Sequence, residues 1–328
     1  MKILISDYKD SMMPTHDYEM TLLKAGFPDV EICIYEYTDA KREEFLEKIS
    51  DASALLTAFT NIDKEVFDRA PNLQVISLNA TGYDSVDLVE ATKHSVGVCP
   101  VGEYCTLDVA EHTIALMLAL NKNLKCYTYD IEKRFQWKYD TPKAPARIGT
   151  QTLGIFGFGK IGRRVAKLAQ GLGMTVIAHD PYVKKETVAD LNVELVEPDE
   201  IYERADVITI HMNLGNSNAE YFTTKEFKKM KRSPIFLNLS RGFALNEQDL
   251  SDALDEGLVR AAGLDVLKDE TPTLKGHLLT NRDNVIITPH SAFYSTQSME
   301  DMQRISCENI VNFINGNKDK VFKLVNEV

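Results

Sequence analysis

Arg241, Glu270 and His290 stand 29 and then 20 residues apart, each beyond a short apolar run that reads as a strand. "PIFL" precedes "NLSRG" at 238–242, "AAGL" precedes "DVLKDETP", and "NVII" precedes "TPHSAFYS". In open α/β sheets, ligands bind beyond the carboxyl ends of the strands, so side chains at such ends can converge. The planar fork of an arginine suits a carboxylate better than any other side chain. A histidine with a carboxylate partner is a candidate acid/base, and both Asp265 and Glu270 follow the strand that could supply that partner. Taken singly, the arginine could be a surface ion pair and the histidine a structural group. Together they suit proton transfer on a small carboxylic acid.

Gly157-Phe158-Gly159-Lys160-Ile161-Gly162 follows the strand-like "TLGIF" and opens the helix-like "GRRVAKLAQGLG". A second strand, "TVIAH", runs into Asp180, 18 residues past Gly162. The six-residue pattern alone is weak evidence; strand, turn, helix, strand and acid in that order are strong. The glycines let backbone approach a pyrophosphate at a helix N-terminus, and the acid takes the ribose hydroxyls. A carboxylate at Asp180 repels a 2′-phosphate, which favours NAD over NADP; Lys184 and Lys185 temper that preference.

These groups need a scaffold. "KILIS", "VEICIYE", "ALLTAF", "LQVISLNA" and "VGVCPV" are five strand candidates in the first 101 residues, separated by amphipathic stretches such as "KREEFLEKIS". A second series begins at Thr152 with "TLGIFG", "TVIAHD", "VELV", "DVITIHM", "PIFLNLS", "AAGLDV" and "NVIITPH". Strands alternating with helices imply parallel sheets covered on both faces, so the fold class is α/β with two doubly wound domains. "LDVAEHTIALMLALN" at 107–121 is apolar nearly all round after Glu111 and His112. Such a helix is expected to be buried on more than one side, between the domains and against another subunit. The aromatic-rich stretch 122–150 reads either as an arm over a partner or as a surface excursion. An amphipathic helix at 298–316 has no following strand to serve and is expected to pack back on the first domain.

With 328 residues, 44% hydrophobic and 26% charged, the chain has the composition of a two-domain soluble globular protein. Its net charge of −12, from 37 basic and 49 acidic residues, disfavours nucleic acid and anionic membrane as partners. The cysteines number five, with no C-x-x-C spacing, and read as reduced thiols of a cytoplasmic protein. "MKILISDYKD" reads as a strand and not as a signal peptide, and "IALMLAL" is too short to span a bilayer.

Five motifs in order, "TGYDSVDL" at 81–88, GFGKIG with Asp180, NLSRG, LDVLKDE and TPH, resemble the D-isomer-specific 2-hydroxyacid dehydrogenases over nearly the whole chain. The resemblance implies a flavodoxin-like substrate domain, 1–101 plus 293–328, with a Rossmann NAD domain, 102–292, inserted into it. The first residues are then one jaw of a cleft, and the protein a homodimer. Arg241 would hold the carboxylate and polarise the carbonyl of a 2-oxo acid. His290 would give a proton to the carbonyl oxygen, and Glu270 would hydrogen-bond His290 and favour its protonated form. Hydride from NADH would reach C2, giving the D-2-hydroxy acid. The implied cofactor set is Gly157, Gly159, Lys160, Ile161, Gly162, Asp180, His211, Ser240 and Asp265, with Asp265 near the nicotinamide carboxamide. Ala80, Thr81 and Gly82 would bind the substrate carboxylate through backbone amides, alongside Arg241, with Tyr294 at the pocket; no metal is implied.

Departures are local. The family's Glu-Pro becomes Glu270-Thr271-Pro272, and its H-x-P-L-T becomes His211-Met212-Asn213-Leu214-Gly215. "AFYS" at 292–295 resembles the D-lactate dehydrogenase branch, and "GEYCTLDVAEHTIALMLAL" bacterial relatives of the C-terminal binding proteins. Two alternatives stay open: an NADH-sensing, corepressor-like binding protein, and a 3-phosphoglycerate dehydrogenase. The first has no basic tail to support it. The second lacks an evident extra phosphate-binding arginine in the first domain and has no room for a C-terminal regulatory domain.

Overall fold

The structure, a computed structural model, describes residues 1–213 and 219–328. Leu214 and Gly215 of the altered motif lie outside the described residues. Two compact units emerge, one formed by Met1–Tyr104 with Ser295–Val328 and the other by Cys105–Tyr294.

The first unit is built on β1 (Lys2–Tyr8), β2 (Glu31–Tyr37), β3 (Ala54–Thr57), β4 (Val75–Leu78) and β5 (Gly97–Pro100). All pairings are parallel, in the order β2-β1-β3-β4-β5, the flavodoxin-like arrangement. Side chains of a strand alternate between faces, and here both faces are covered. Leu4 of β1 joins Phe45, Leu55 and Ile76 on one face, whereas Ile3 and Ile5 join Leu56, Val75, Ile310 and Phe313 on the other. Ile310 and Phe313 belong to the helix Thr296–Ile314, which therefore packs back on this sheet as its amphipathic pattern predicts. Ser295 caps it, its hydroxyl accepting from the Ser298 amide at 3.1 Å.

The second unit carries β6 (Thr152–Phe156), β7 (Thr175–His179), β8 (Glu194–Leu195), β9 (Val207–Ile210), β10 (Ile235–Asn238), β11 (Ala261–Leu264) and β12 (Val285–Ile287). They form one parallel sheet in the order β12-β11-β10-β9-β6-β7-β8. This is the Rossmann order, with its reversal between β6 and β9. The helix Thr106–Asn121 lies on this sheet and buries Val109, Ala110, Thr113, Leu116, Met117 and Leu120. Within the unit, Leu107 stays 52% exposed and Ile114 and Leu118 only partly covered.

The aromatic-rich stretch 122–150 begins with a helix, Leu124–Glu132, which buries Cys126 and Asp130 one turn apart. Asp130 also holds Arg134 at 2.7 Å, and just past the helix Phe135 turns the chain with φ +54°. Beyond it Phe135, Trp137 and Tyr139 are 87%, 90% and 87% exposed. Among the described residues no helix is long and apolar enough to cross a membrane, and no cluster of side chains could hold a metal ion.

Candidate active site

Most groups singled out in the second unit lie at or just beyond the carboxyl end of a strand; Glu270 and Tyr294 come six and seven residues past β11 and β12. The glycine loop follows β6, Asp180 follows β7, His211 follows β9, Ser240 and Arg241 follow β10, Asp265 follows β11, and His290 comes three residues after β12.

The glycine loop has the shape a dinucleotide requires. Gly157 adopts φ +88°, and a Cβ there would fall 2.5 Å from the His211 carbonyl carbon. One on Gly162 would fall 2.3 Å from the Gly157 carbonyl oxygen, so the helix Lys160–Gly171 starts hard against β6. Gly159, the N-cap of that helix, faces open space within 4 Å, where a phosphate can approach backbone amides. Asp180 accepts from the Phe158 amide at 2.8 Å on one oxygen and from the Tyr182 amide at 2.9 Å on the other. It therefore fastens the loop as well as ending β7, and each oxygen keeps a lone pair for a ribose hydroxyl. His211 contacts Thr209 Oγ1 through Nε2 at 3.0 Å, and its Nδ1 is buried without a hydrogen-bond partner among the described residues. Burial pushes this imidazole down to about 3, so it is neutral at physiological pH. Open space at Gly159, a carboxylate at Asp180 and an orphaned ring nitrogen at His211 fit a bound dinucleotide.

Arg241 owes its position to Asn238. The buried Asn238 side chain donates to the Arg241 carbonyl at 2.9 Å and accepts from the Ser240 amide at 3.1 Å and hydroxyl at 2.9 Å. The turn closes on the side chain of the last strand residue. The exposed Arg241 guanidinium donates to the Ser240 carbonyl at 2.9 Å and forms no ion pair with a carboxylate among the described residues.

The His290 turn is tied to Asp265, which is 2% exposed. The Asp265 carbonyl accepts the His290 amide at 2.7 Å. Its carboxylate accepts Thr288 Oγ1 at 2.5 Å, the Ser291 amide at 2.9 Å and the Ala292 amide at 3.0 Å. The Asp265 amide in turn donates to the Asn238 carbonyl at 3.0 Å, joining the arginine and histidine turns. His290 has φ +49°, a left-handed conformation that costs about 1–2 kcal/mol for a residue with a Cβ. The clamp holds it there. Its Nδ1 lies 3.0 Å from Glu270 Oε2, with both side chains about half exposed, and the ring's Nε2 points away from Glu270.

Comparison with known proteins decides the affiliation. Residues 114–292 match the family model described as D-isomer specific 2-hydroxyacid dehydrogenase, NAD binding domain. The chain belongs to this family. A D-3-phosphoglycerate dehydrogenase of Methanocaldococcus jannaschii is 34% identical over 318 residues, covering 96% of this chain but 58% of that protein. A hydroxypyruvate reductase of Blautia hydrogenotrophica is 34% identical over 293 residues, covering 87% of this chain and 90% of that one. Among solved structures, D-lactate dehydrogenase from Aquifex aeolicus, complexed with NAD and lactic acid, superposes with a TM-score of 0.85 at 26% identity, covering 99% of both chains. As a 2-hydroxyacid dehydrogenase family member, the chain carries an NAD-binding domain.

Ala80, Thr81 and Gly82 form the turn after β4 of the first unit, where the Val101 amide donates to the Ala80 carbonyl at 3.1 Å. Tyr294, at the end of the second unit, is 68% exposed. Sequence reading missed Asn238 and Thr288 as the residues that shape the arginine and histidine turns. An asparagine three residues before Arg241, of a type that closes turns with its side chain, was the available signal for the first. For the second no local signal exists, because Thr288 meets Asp265 from 23 residues away.

Proposed function

We propose that this family member reduces a small, unphosphorylated 2-oxo acid to the D-2-hydroxy acid, with NADH as reductant. The observation that carries the reading is the trio at adjacent strand ends: a guanidinium with no carboxylate partner among the described residues, and an imidazole backed by a carboxylate at 3.0 Å. Arg241 binds the substrate carboxylate through its fork and polarises the C2 carbonyl. His290, oriented through Nδ1 by Glu270, gives the Nε2 proton to the carbonyl oxygen. When bound, NADH would supply the hydride that C2 receives. Gly157, Gly159, Lys160, Ile161 and Gly162 would hold its pyrophosphate, Asp180 its ribose, and His211, Ser240 and Asp265 the remainder. Ala80, Thr81, Gly82 and Tyr294 complete the substrate contacts.

The preference for an unphosphorylated substrate rests on the arginines of the first unit. Arg42 pairs with Asp63 and Glu65, Arg69 with Glu43, and Arg304 with Asp301 and Glu308. Each already faces a carboxylate, so none of the three stands unpaired to meet a phosphate. The relative named hydroxypyruvate reductase, matched over 90% of its length, supports a small substrate better than the phosphoglycerate dehydrogenase matched over 58%. NADH oxidation followed across a panel of 2-oxo acids tests the proposal, with NADPH alongside to test the role given to Asp180.

The working form is proposed to be a homodimer joined through the arm beyond Glu132. Three consecutive odd-numbered aromatics, Phe135, Trp137 and Tyr139, lie almost fully in solvent in the single chain, a surface that favours burial against a partner. Sedimentation of the wild type is expected to give a dimer, and replacing all three by serine to give a monomer. A wild-type monomer at micromolar concentration contradicts this.

A further inference from the structure

We infer that His112 is a positioning residue for the reaction, acting on the His290 turn through Thr288 and Asp265; the inference rests on the proposed reductase function. His112 lies in the second turn of the helix Thr106–Asn121, with its side chain 25% exposed. Its Nε2 is 3.0 Å from Thr288 Oγ1, and that oxygen is 2.5 Å from Asp265 Oδ1. His112 Nε2 is itself 3.8 Å from Asp265 Oδ1, beyond hydrogen-bond distance, so the hydroxyl is the connection.

Chemistry fixes the direction of the two bonds. Asp265 accepts a backbone amide on each oxygen, the pattern of a carboxylate, which has no proton to give. The single hydroxyl proton of Thr288 therefore points at Asp265. Its oxygen is left as an acceptor, so His112 Nε2 must carry a proton and donate it. The result is a directed chain, His112 Nε2–H to Thr288 Oγ, then Thr288 Oγ–H to Asp265 Oδ1.

Asp265 is the residue on which the His290 turn depends. It takes the amides of His290, Ser291 and Ala292, and His290 is held with φ +49°. A left-handed residue with a side chain persists only where its surroundings over-determine it. His112 adds the outermost restraint and ties the turn to a helix packed on the sheet. Neither His112 nor Thr288 belongs to the groups assigned above to substrate or cofactor.

The test combines kinetics with one spectroscopic readout. His112→Phe keeps the ring's bulk and removes the donor; it is expected to lower kcat about 10–100-fold, since small displacements of a proton donor are costly, while NADH affinity stays within about twofold. His112→Gln, which restores an N–H near the same place, is expected to recover most of that loss. Thr288→Val is expected to match His112→Phe, and the double variant to lose no more than either single one. A purely structural histidine would lower the melting temperature and leave kcat unchanged. Wild-type kcat in folded His112→Phe, or losses that multiply in the double variant, overturns the inference while leaving the function standing. Nitrogen-15 shifts of the wild-type imidazole give a readout independent of any substrate. Nε2 of His112 is expected to be protonated, and an unprotonated Nε2 overturns the chain even if no 2-oxo acid is turned over.

Discussion

Replacing Arg241 with alanine is expected to lower kcat/KM by about 10³-fold or more, roughly 4 kcal/mol of transition-state stabilisation, with NADH affinity little changed. The size follows from the loss of two charge-assisted hydrogen bonds and of the group that polarises the carbonyl. The fold should tolerate the change. The turn is held by Asn238 through backbone groups and Ser240, and the guanidinium contributes only a bond to its neighbour's carbonyl. Arg241→Lys keeps the charge and loses the planar fork, so it should recover only part of the activity. Steady-state kinetics with a fluorescence titration of NADH separates the two effects. Wild-type kcat/KM in Arg241→Ala, or a loss confined to NADH binding, would remove Arg241 from the substrate site.

Replacing His290 is expected to cost about 10²–10⁴-fold in kcat, the usual contribution of a general acid. The choice of variant matters here. At φ +49° asparagine is tolerated better than alanine, so His290→Asn removes the proton donor with the least disturbance of the turn. The clamp is made by backbone amides and Asp265, none of which the substitution touches. Glu270 loses its partner, but its side chain is half exposed, so water can replace the imidazole. The expected signature is low kcat with NADH affinity unchanged. Retained kcat would mean that another group supplies the proton.

Much of this architecture is legible in the residue order because it is written in local patterns. β3, β4 and β9 are short apolar runs buried throughout, as strands covered on both faces must be. The helix Thr296–Ile314 showed its role through an amphipathic face with no strand to follow. The glycine loop was readable because its geometry needs particular residue types at fixed spacing. What escaped was non-local. Asp265 looks from its surroundings like one more acid after a strand, and its grip on residues 288–292 exists only once β11 and β12 are paired. The helix Leu124–Glu132 escaped because it buries little beyond Cys126 and Asp130, leaving a weak apolar stripe among exposed aromatics. His112 read as the polar start of an apolar helix, and its partner Thr288 lies 176 residues away.

The most direct test of the central claim is to follow NADH oxidation with glyoxylate, pyruvate, hydroxypyruvate, 2-oxobutyrate, 2-oxoisocaproate, phenylpyruvate and oxaloacetate. Nicotinamide deuterated at its transferable position is used, and the product is resolved by chiral chromatography and mass spectrometry. The account predicts efficient turnover of at least one of these acids, a single deuterium at C2 and, for every member but glyoxylate, whose product glycolate is achiral, a D-2-hydroxy acid. An L or racemic product, a product without deuterium at C2, or tight NADH binding with no turnover of any member would contradict it; the last result would favour an NADH-sensing protein instead.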